Sequence, residues 1–320
     1  MLVIGFQGSP RSGGNTDRLL SAFLDEAEKL GAETIKIDVG KMNISHCIEC
    51  RKCEEEGYCV IDDDMQKIYP LLRRADLVVL ASPVFFYGLT GMVKAVVDRA
   101  QALWARRYVL KLDDPGVNVR KGLLLALGAT KGENLFAGVS LEAKYFFDAV
   151  GALYSNQDRL TYRKIENSGD IEKHPTAIKD VREKAREMVT PLVKRRRVLY
   201  VCTENAYRSQ MAWAFTRHKY GDRIEAMSAG SSPAERINEV MAEAMAEVGI
   251  DMAYITPRSL NDALKTFTPD LVVTMGCVNA CPIIPNAEIV DWDLPDPAGT
   301  PLSFMREVRD EIERRVNEIV

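Results

Sequence analysis

Short apolar segments that alternate with amphipathic segments are the feature that most constrains how this chain folds. Continuously apolar stretches, typical of strands buried on both faces of a sheet, occur in MLVIGFQG and ADLVVLASPVFF. Segments with helical periodicity, such as RLLSAFLDEAEKL, stand between them. Because strands that alternate with helices form parallel sheets covered on both faces, we expect an α/β fold.

The same pattern restarts after a charged helical stretch that runs from Ile171 to Lys194. A strand, RVLYVC, and a helix, RSQMAWAFTRHKYG, follow at once. A length of 320 residues also favours two domains, at about 150 residues per domain. The sequence therefore predicts two doubly wound parallel-sheet α/β domains, at residues 1–195 and 196–320.

Composition excludes several classes of partner. The net charge of −4 disfavours nucleic-acid binding, so the basic run at 194–197 is interpreted as a solvated helix end. Charged residues, prolines and glycines interrupt every apolar run before it could span a bilayer. The first residues resemble no signal peptide. We expect a cytoplasmic protein that binds neither membranes nor nucleic acid.

A glycine- and serine-rich loop, GSPRSGGNT, links the first strand to the first helix. Such loops bind phosphate through backbone N–H groups and the helix N-terminus. The loop has neither the G-x-G-x-x-G pattern nor the Walker A lysine, and a plain connecting turn is the alternative. Asn15, Thr16 and Asp17 are expected to cap the helix. The candidate ligands of the phosphate are Ser9, Arg11, Ser12, Asn15 and Thr16.

An aromatic loop, SPVFFYG, follows the buried strand ADLVVLA. With the first loop it resembles the flavodoxin-like NAD(P)H-dependent FMN reductases, over residues 1–190. The resemblance implies that FMN is bound, with NAD(P)H as a candidate reductant, and that a third flavin loop includes Ala129 and Thr130. The residues it places along the isoalloxazine ring are Pro83, Val84, Phe85, Phe86, Tyr87 and Gly88. The alternative is that Phe85 and Phe86 are core residues.

Four cysteines lie within thirteen residues, at Cys47, Cys50, Cys53 and Cys59. Thiolate-only ligands select zinc or an iron–sulfur cluster, and ligands spaced by two residues favour a [4Fe–4S] cluster. The spacing resembles the compact cysteine motif of the iron–sulfur flavoproteins. That resemblance implies a homodimer or homotetramer. Four free thiols in a surface loop are the alternative.

In the second half, a Cys-x5-Arg-Ser pattern runs from Cys202 to Ser209, between a strand and a helix. Inward N–H groups and the Arg208 guanidinium could clamp a tetrahedral oxyanion beside a thiolate nucleophile. Asp296, near the C-terminus, could protonate a leaving oxygen.

Residues 197–320 resemble the low-molecular-weight tyrosine phosphatase fold, and in particular the arsenate reductases built on it. The resemblance implies the following roles: Cys202 as nucleophile, Arg208 as oxyanion ligand, Ser209 as thiolate-stabilising donor, Asn205 as loop-shaping residue, Asp296 as acid, and Cys277 with Cys281 as a redox pair. Two residues depart from the family pattern, Glu204 by its charge and Tyr207 by its bulk.

Together these resemblances predict an oxidoreductase that reduces arsenate, with electrons supplied by the FMN and cluster domain, or by a thioredoxin- or ferredoxin-like donor. One alternative is a tyrosine phosphatase fused to an independent flavin reductase. The other is a redox sensor whose cluster and thiols regulate a partner protein.

Overall fold

The computed structural model describes residues 1–276, 284 and 286–319, which form two compact units. The first unit comprises Met1–Lys111 and Arg120–Lys194, and the second comprises Leu112–Val119 and Arg195–Val320. The short segment Leu112–Val119 lies within the range that the sequence analysis assigned to the first domain, yet it packs with the second. No helix among the described residues is both long and apolar enough to cross a membrane.

The first unit is built on a five-stranded parallel sheet in the order β2-β1-β3-β4-β5. Its strands are Leu2–Gln7 (β1), Glu33–Asp38 (β2), Leu77–Pro83 (β3), Lys121–Gly128 (β4) and Arg159–Arg163 (β5). The strand order reverses between β1 and β3, so a crevice opens at the carboxyl ends of these two strands, where open α/β sheets bind ligands.

The helices of this unit are Asn15–Lys29 (α1), Lys52–Glu56 (α2), Met65–Arg74 (α3), Gly91–Arg99 (α4), Gln101–Tyr108 (α5), Ala137–Ala149 (α6), Asp170–Lys173 (α7) and Ala177–Val193 (α8). A single 3-10 turn, Val39–Lys41, follows β2. Helices α1 and α8 bury their apolar faces against the sheet, with Leu20 and Phe23 of α1 and Val181 and Met188 of α8 in one core.

The second unit has a four-stranded parallel sheet in the order β7-β6-β8-β9. Its elements are Arg196–Cys202 (β6), Arg208–Tyr220 (α9), Ile224–Gly230 (β7), Glu239–Ala246 (α10), Leu260–Thr266 (α11), Leu271–Thr274 (β8), Glu288–Asp291 (β9) and Leu302–Ile319 (α12). Here the order reverses between β6 and β8, beside the strand that ends at Cys202. The segment Leu112–Val119 adds one bridge to this unit, through hydrogen bonds of Asp113 with Gly249 and Asp251.

The predicted fold class is confirmed: both units are parallel-sheet α/β domains. Helices α4 and α5 are divided at Ala100, which caps the end of α4 and the start of α5. One local expectation was wrong. The N-cap of α1 is Gly14, and no side chain caps this helix. Strand β5 was not expected, because only Leu160 and Tyr162 of its five residues are apolar or aromatic and the other three are polar or charged.

Candidate functional sites

The three predicted flavin loops of the first unit meet at one edge of its sheet. The Gly8 N–H donates to the Ala81 carbonyl at 2.8 Å, and the Thr90 hydroxyl donates to the Gly8 carbonyl at 2.8 Å. The Val84 N–H donates to the Leu127 carbonyl at 2.8 Å, which joins the second loop to β4. Parallel strands bring their carboxyl ends together, so loops far apart in sequence become neighbours.

In the first loop, Ser9 is buried, whereas Arg11 and Ser12 are exposed. The Ser9 hydroxyl accepts the Arg11 N–H at 3.1 Å, which shapes the turn. The Gly13 N–H donates to Asp17 at 2.7 Å, and Lys36 donates to the same carboxylate at 2.8 Å. Burial raises the pKa of Asp17, but the Lys36 and Gly13 hydrogen bonds outweigh it and hold the pKa below its ordinary value.

Asn15 links the first loop to a distant segment instead of capping α1. Its amide nitrogen donates to the Asn167 carbonyl at 2.8 Å, and its oxygen accepts the N–H groups of Gly169 at 3.0 Å and Ile171 at 3.3 Å. These bonds fasten the turn before α7 to the loop. Thr16, in the first turn of α1, is buried.

The aromatic loop is a tight turn closed by two backbone hydrogen bonds between Phe85 and Gly88, at 3.0 and 2.9 Å. Its two central residues, Phe86 and Tyr87, have φ values of 48° and 65°. Glycine or asparagine usually occupies such positions, so two aromatic residues there are strained, as is typical of functional sites. Phe86 is fully exposed and Phe85 half-exposed, so the alternative that both are core residues is wrong.

The aromatic turn packs against α6 and against the loop that follows β4. A Cβ atom at Gly138 would collide with the Tyr87 carbonyl, and one at Gly132 would lie 3.0 Å from the Tyr87 hydroxyl. Ala129 and Thr130 are exposed at the start of this third loop. Sequence reasoning missed Arg163, at the end of β5, which donates to the carbonyl of Gly132, to that of Lys131 at 2.7 Å and to that of Glu133 at 3.1 Å.

These loops suit FMN in their chemistry. Exposed aromatic side chains from the second loop offer surfaces for a planar ring, and the first loop offers hydroxyl, guanidinium and backbone donors for a phosphate. The strained turn and the three converging loops are the observations that fit the group.

The four clustered cysteines line one cavity of about 750 Å³. Partial burial raises the pKa of the Cys53 thiol, and the sulfurs of the three other cysteines act in the same direction. In the described part of the chain, no group of three or more His, Cys, Asp or Glu side chains is arranged to hold a metal ion. Four thiols around one cavity nevertheless match, as a donor set, an iron–sulfur cluster or another thiolate-bound metal.

In the second unit, the Cys202 sulfur lies at the carboxyl end of β6 and is buried. The Ser209 hydroxyl oxygen is 3.0 Å away, and the Asn205 N–H donates to the sulfur at 3.2 Å. The sulfur thus has one backbone N–H donor and one hydroxyl group within hydrogen-bond distance.

Four carbonyl groups of the Cys202 loop accept backbone N–H groups from the segment that follows β7. Those of Cys202, Thr203, Glu204 and Ala206 accept N–H groups from Ser231, Ser232, Ala234 and Asn238, at 2.8–3.1 Å. Gly230 permits this approach, since a Cβ atom there would lie 2.6 Å from the Thr203 carbonyl oxygen. An anion-binding loop needs N–H groups directed at its ligand, and carbonyls engaged in this way are compatible with that arrangement.

Asn205 shapes this loop from inside. It is fully buried with a φ of 51°, and its amide nitrogen donates to the Ser209 hydroxyl at 2.8 Å. Its amide oxygen accepts from Gln210 at 3.1 Å and from the Arg258 N–H at 2.9 Å. The side chain therefore secures a left-handed backbone conformation that costs energy for a residue other than glycine.

Arg208 begins α9 and is buried, and its guanidinium lies beside Asp296. The Arg208 Nη2 to Asp296 Oδ1 distance is 3.3 Å, and Nη1 donates to the Leu294 carbonyl at 3.2 Å. Its Nε has no hydrogen-bond partner among the residues described. Arg208 and Asp296, distant in sequence, are therefore neighbours in the fold.

The two residues that depart from the family pattern, Glu204 and Tyr207, both keep solvent-accessible surface. Glu204 is exposed, and Tyr207 is half-buried with its hydroxyl accepting from Asn238 at 3.2 Å. Partial burial and the Glu204 carboxylate raise the pKa of Tyr207. The predicted redox pair, Cys277 and Cys281, lies outside the described residues.

Comparisons with known proteins agree with this division of the chain. Residues 1–157 match the family described as NADPH-dependent FMN reductase, and residues 197–320 match the family described as low molecular weight phosphotyrosine protein phosphatase. An iron–sulfur flavoprotein of Methanosarcina thermophila is 35% identical over 111 residues, which cover 35% of this chain and 58% of that protein. Arsenate reductase 2 of Staphylococcus haemolyticus is 38% identical over 122 residues, which cover 37% of this chain and 92% of that protein.

A solved structure, the thioredoxin-dependent arsenate reductase of Corynebacterium glutamicum, is 30% identical, with a TM-score of 0.35 over 46% of this chain and 74% of that one. In the first domain, the chain spans little more than half the length of the Methanosarcina thermophila iron–sulfur flavoprotein that it matches. Both resemblances drawn from the sequence motifs are confirmed, and the reductase relatives of the two domains agree with the predicted class of oxidoreductase.

Proposed function

Since the chain belongs, through residues 197–320, to the low molecular weight phosphotyrosine protein phosphatase family, and since residues 1–157 match the family described as NADPH-dependent FMN reductase, we propose that it reduces arsenate to arsenite. The observation that carries this proposal is the environment of Cys202. One buried sulfur has hydroxyl and amide donors at 3.0 and 3.2 Å, in a loop whose carbonyls are engaged elsewhere. Such a loop binds a tetrahedral oxyanion and keeps a thiolate beside it.

In the proposed reaction, arsenate binds in the Cys202 loop, with its oxygens on the loop N–H groups and on Arg208. The Cys202 thiolate forms a bond to arsenic, and one oxygen leaves as water after Asp296 supplies a proton. The Arg208–Asp296 distance of 3.3 Å supports these two proposed roles, because an acid must lie near the group that would hold the anion.

Reduction then follows the chemistry that the family resemblance implies for Cys277 and Cys281. The Cys277 thiolate attacks the Cys202 sulfur, the sulfur–arsenic bond breaks, and arsenic keeps the electron pair and leaves as arsenite. Cys281 then attacks Cys277, which frees Cys202 and leaves a Cys277–Cys281 disulfide. Two electrons and two protons regenerate the thiols.

We further propose that the first domain supplies these electrons, beside or in place of a thioredoxin- or ferredoxin-like protein. When bound, FMN carries two electrons and a [4Fe–4S] cluster carries one. The loops at residues 8–16, 83–88 and 129–130 would hold FMN, and the four clustered cysteines would hold the cluster, with NAD(P)H as reductant. We propose that the protein works as a homodimer or homotetramer in the cytoplasm.

A phosphotyrosine phosphatase is the second candidate. For the first chemical step, the described geometry supports this candidate as well as it supports arsenate reduction, because Cys202, Arg208 and Asp296 could also cleave a phosphomonoester. Only the reduction needs Cys277 and Cys281. The two functions therefore separate at those cysteines.

The test compares three variants of the full chain, assayed with arsenate plus a thiol reductant and with p-nitrophenyl phosphate. Cys202→Ser is expected to abolish both activities, since a hydroxyl is a poor nucleophile here. Cys277→Ala is expected to abolish arsenate reduction alone. Arg208→Lys is expected to impair both, because an ammonium group lacks the planar fork. Phosphatase turnover without arsenate turnover in the parent would favour the second candidate.

A further inference from the structure

The segment that carries the four cysteines begins and ends at one buried guanidinium. Arg99, the last residue of α4, is almost fully buried. Its Nη1 donates to the Ser45 carbonyl at 3.1 Å, and its Nη2 donates to the Ile61 carbonyl at 3.2 Å. Ser45 stands two residues before the first cysteine and Ile61 two residues after the last. One side chain thus joins the two ends of the cysteine loop, which we define as residues 45–61.

Asp63 completes this junction. Its carboxylate receives both terminal nitrogens of Arg99, at 2.7 and 3.2 Å, and the side chains of both residues are buried. The same carboxylate accepts the Ser45 N–H at 2.9 Å and the Met65 N–H at 3.0 Å. A bidentate ion pair such as Arg99–Asp63 requires a specific geometry, and breaking it would leave a buried charge without its partner.

Arg99 also faces the cysteines. It lines the same cavity as all four of them. Its Nε has no hydrogen-bond partner in the part of the chain that the structure describes. Among the described residues, the Nε–H of Arg99 therefore donates no hydrogen bond, although Arg99 is a buried cation that lines the cavity. A cluster held by four thiolates carries net negative charge, which a nearby guanidinium offsets.

We propose that Arg99 is a positioning residue for the metal centre: it holds the ends of the cysteine loop together before the metal arrives, and its charge then stabilises the reduced cluster. This inference rests on the proposed function, in that the loop is taken to bind an iron–sulfur cluster. Pre-organised ligands lower the entropy cost of binding, so the clasp favours assembly.

Arg120 provides a matched control within the same unit. It is fully buried, and it donates to three backbone carbonyls, those of Ala75, Val150 and Arg73, at 2.6–3.0 Å. Arg120 is not among the residues that line the cysteine cavity. Its replacement should therefore cost stability without acting on the cysteine loop.

The experiment compares Arg99→Gln, Arg99→Lys and Arg120→Gln with the parent full-length protein. Hydrogen exchange of residues 45–61 is measured before metal is added. Iron and sulfide are then supplied anaerobically, and iron content per chain and reduction potential are measured. We expect Arg99→Gln to exchange several-fold faster in the loop, to retain less than half of the parent's iron, and to have a lower potential.

Arg99→Lys separates the two parts of the proposal. An ammonium group keeps the charge but cannot reach both Ser45 and Ile61, so fast loop exchange with a near-parental potential is expected. Arg120→Gln is expected to match the parent in loop exchange, iron content and potential. Parental values of all three in Arg99→Gln, or equal losses in Arg120→Gln, would overturn the inference.

The proposed function has its own failure signature. If the parent takes up no iron while Arg99→Gln still loosens the loop, the cluster assignment is wrong and the role of Arg99 in closing the loop stands. If the parent takes up iron and Arg99→Gln is unaltered in the loop and in potential, the inference on Arg99 alone is wrong.

Discussion

The Ser209 hydroxyl oxygen lies 3.0 Å from the Cys202 sulfur and accepts the Asn205 amide N–H at 2.8 Å. With one side occupied by that donor, the hydroxyl hydrogen is directed to its remaining neighbour, the sulfur. Asn205 therefore acts on Cys202 twice, through its own N–H and through the orientation of Ser209. This arrangement makes Ser209 the second donor to the buried Cys202 sulfur.

Replacing Ser209 with Ala should slow alkylation of Cys202 by iodoacetamide and slow arsenate turnover. A hydrogen bond to a charged group contributes about 1.5–3 kcal/mol, which corresponds to roughly tenfold to a hundredfold in rate. Ser232→Ala is the control, because the Ser232 backbone N–H that binds the loop is kept. Parental alkylation in Ser209→Ala would show that Asn205 alone stabilises the thiolate.

Replacing Asn205 with Ala should destabilise the second unit by about 3 kcal/mol, since it removes buried hydrogen bonds at a left-handed residue. Asn205→Gly separates the two effects: it relieves the backbone strain but restores no hydrogen bond. We expect Asn205→Gly to be intermediate in protection of β6 amides from hydrogen exchange. Equal protection in both variants would mean that backbone conformation contributes little.

Replacing Phe86 with Gly should stabilise the first unit and weaken FMN binding. Glycine adopts the φ of 48° without strain, and relief of such strain contributes up to about 1 kcal/mol. The exposed ring that would lie against the flavin is lost at the same time. Stability is measured by denaturant unfolding, and binding by quenching of FMN fluorescence. Phe85→Ala tests the ring without the strain, since Phe85 has no positive φ.

The Asp63–Arg99 pair should make the stability of the first unit sensitive to acid. Burial raises the pKa of Asp63, but hydrogen bonds from Arg99, Ser45 and Met65 outweigh it and hold the pKa below the ordinary value of 3.8. A carboxyl group with a lowered folded-state pKa stabilises the fold above the unfolded value, and this contribution disappears as pH falls through the folded-state pKa.

Asp63→Asn should therefore lower the free energy of unfolding by about 3–5 kcal/mol near pH 7, as breaking a buried ion pair does. The difference from the parent should shrink below about pH 4. Urea unfolding of the metal-free protein at several pH values measures it. Exposed Asp62→Asn should change stability by less than about 0.5 kcal/mol. A difference for Asp63→Asn that is constant from pH 3 to pH 7 would contradict the assignment.

The sequence by itself determined the two α/β domains and the loops that carry their chemistry. The reason is local: buried parallel strands are continuously apolar, and the functional loops follow them directly in the chain. Cys202, Asn205, Arg208 and Ser209 lie on one strand–loop–helix unit, so their spacing is sufficient to predict that they meet. The four clustered cysteines line one cavity for the same reason.

Only the tertiary structure decided which distant residues secure these loops. Arg99 meets Ser45 and Ile61 across more than thirty residues of chain, and Asn15 reaches Gly169 across 154. The sequence does not distinguish a buried arginine from an arginine on a solvated helix face, because the residue type is the same in both. Their difference arises from packing of α4 and β5 against loops elsewhere in the chain, where buried donors must find carbonyl partners. Sheet order, which sets those neighbours, is a property of the whole domain and not of any one segment.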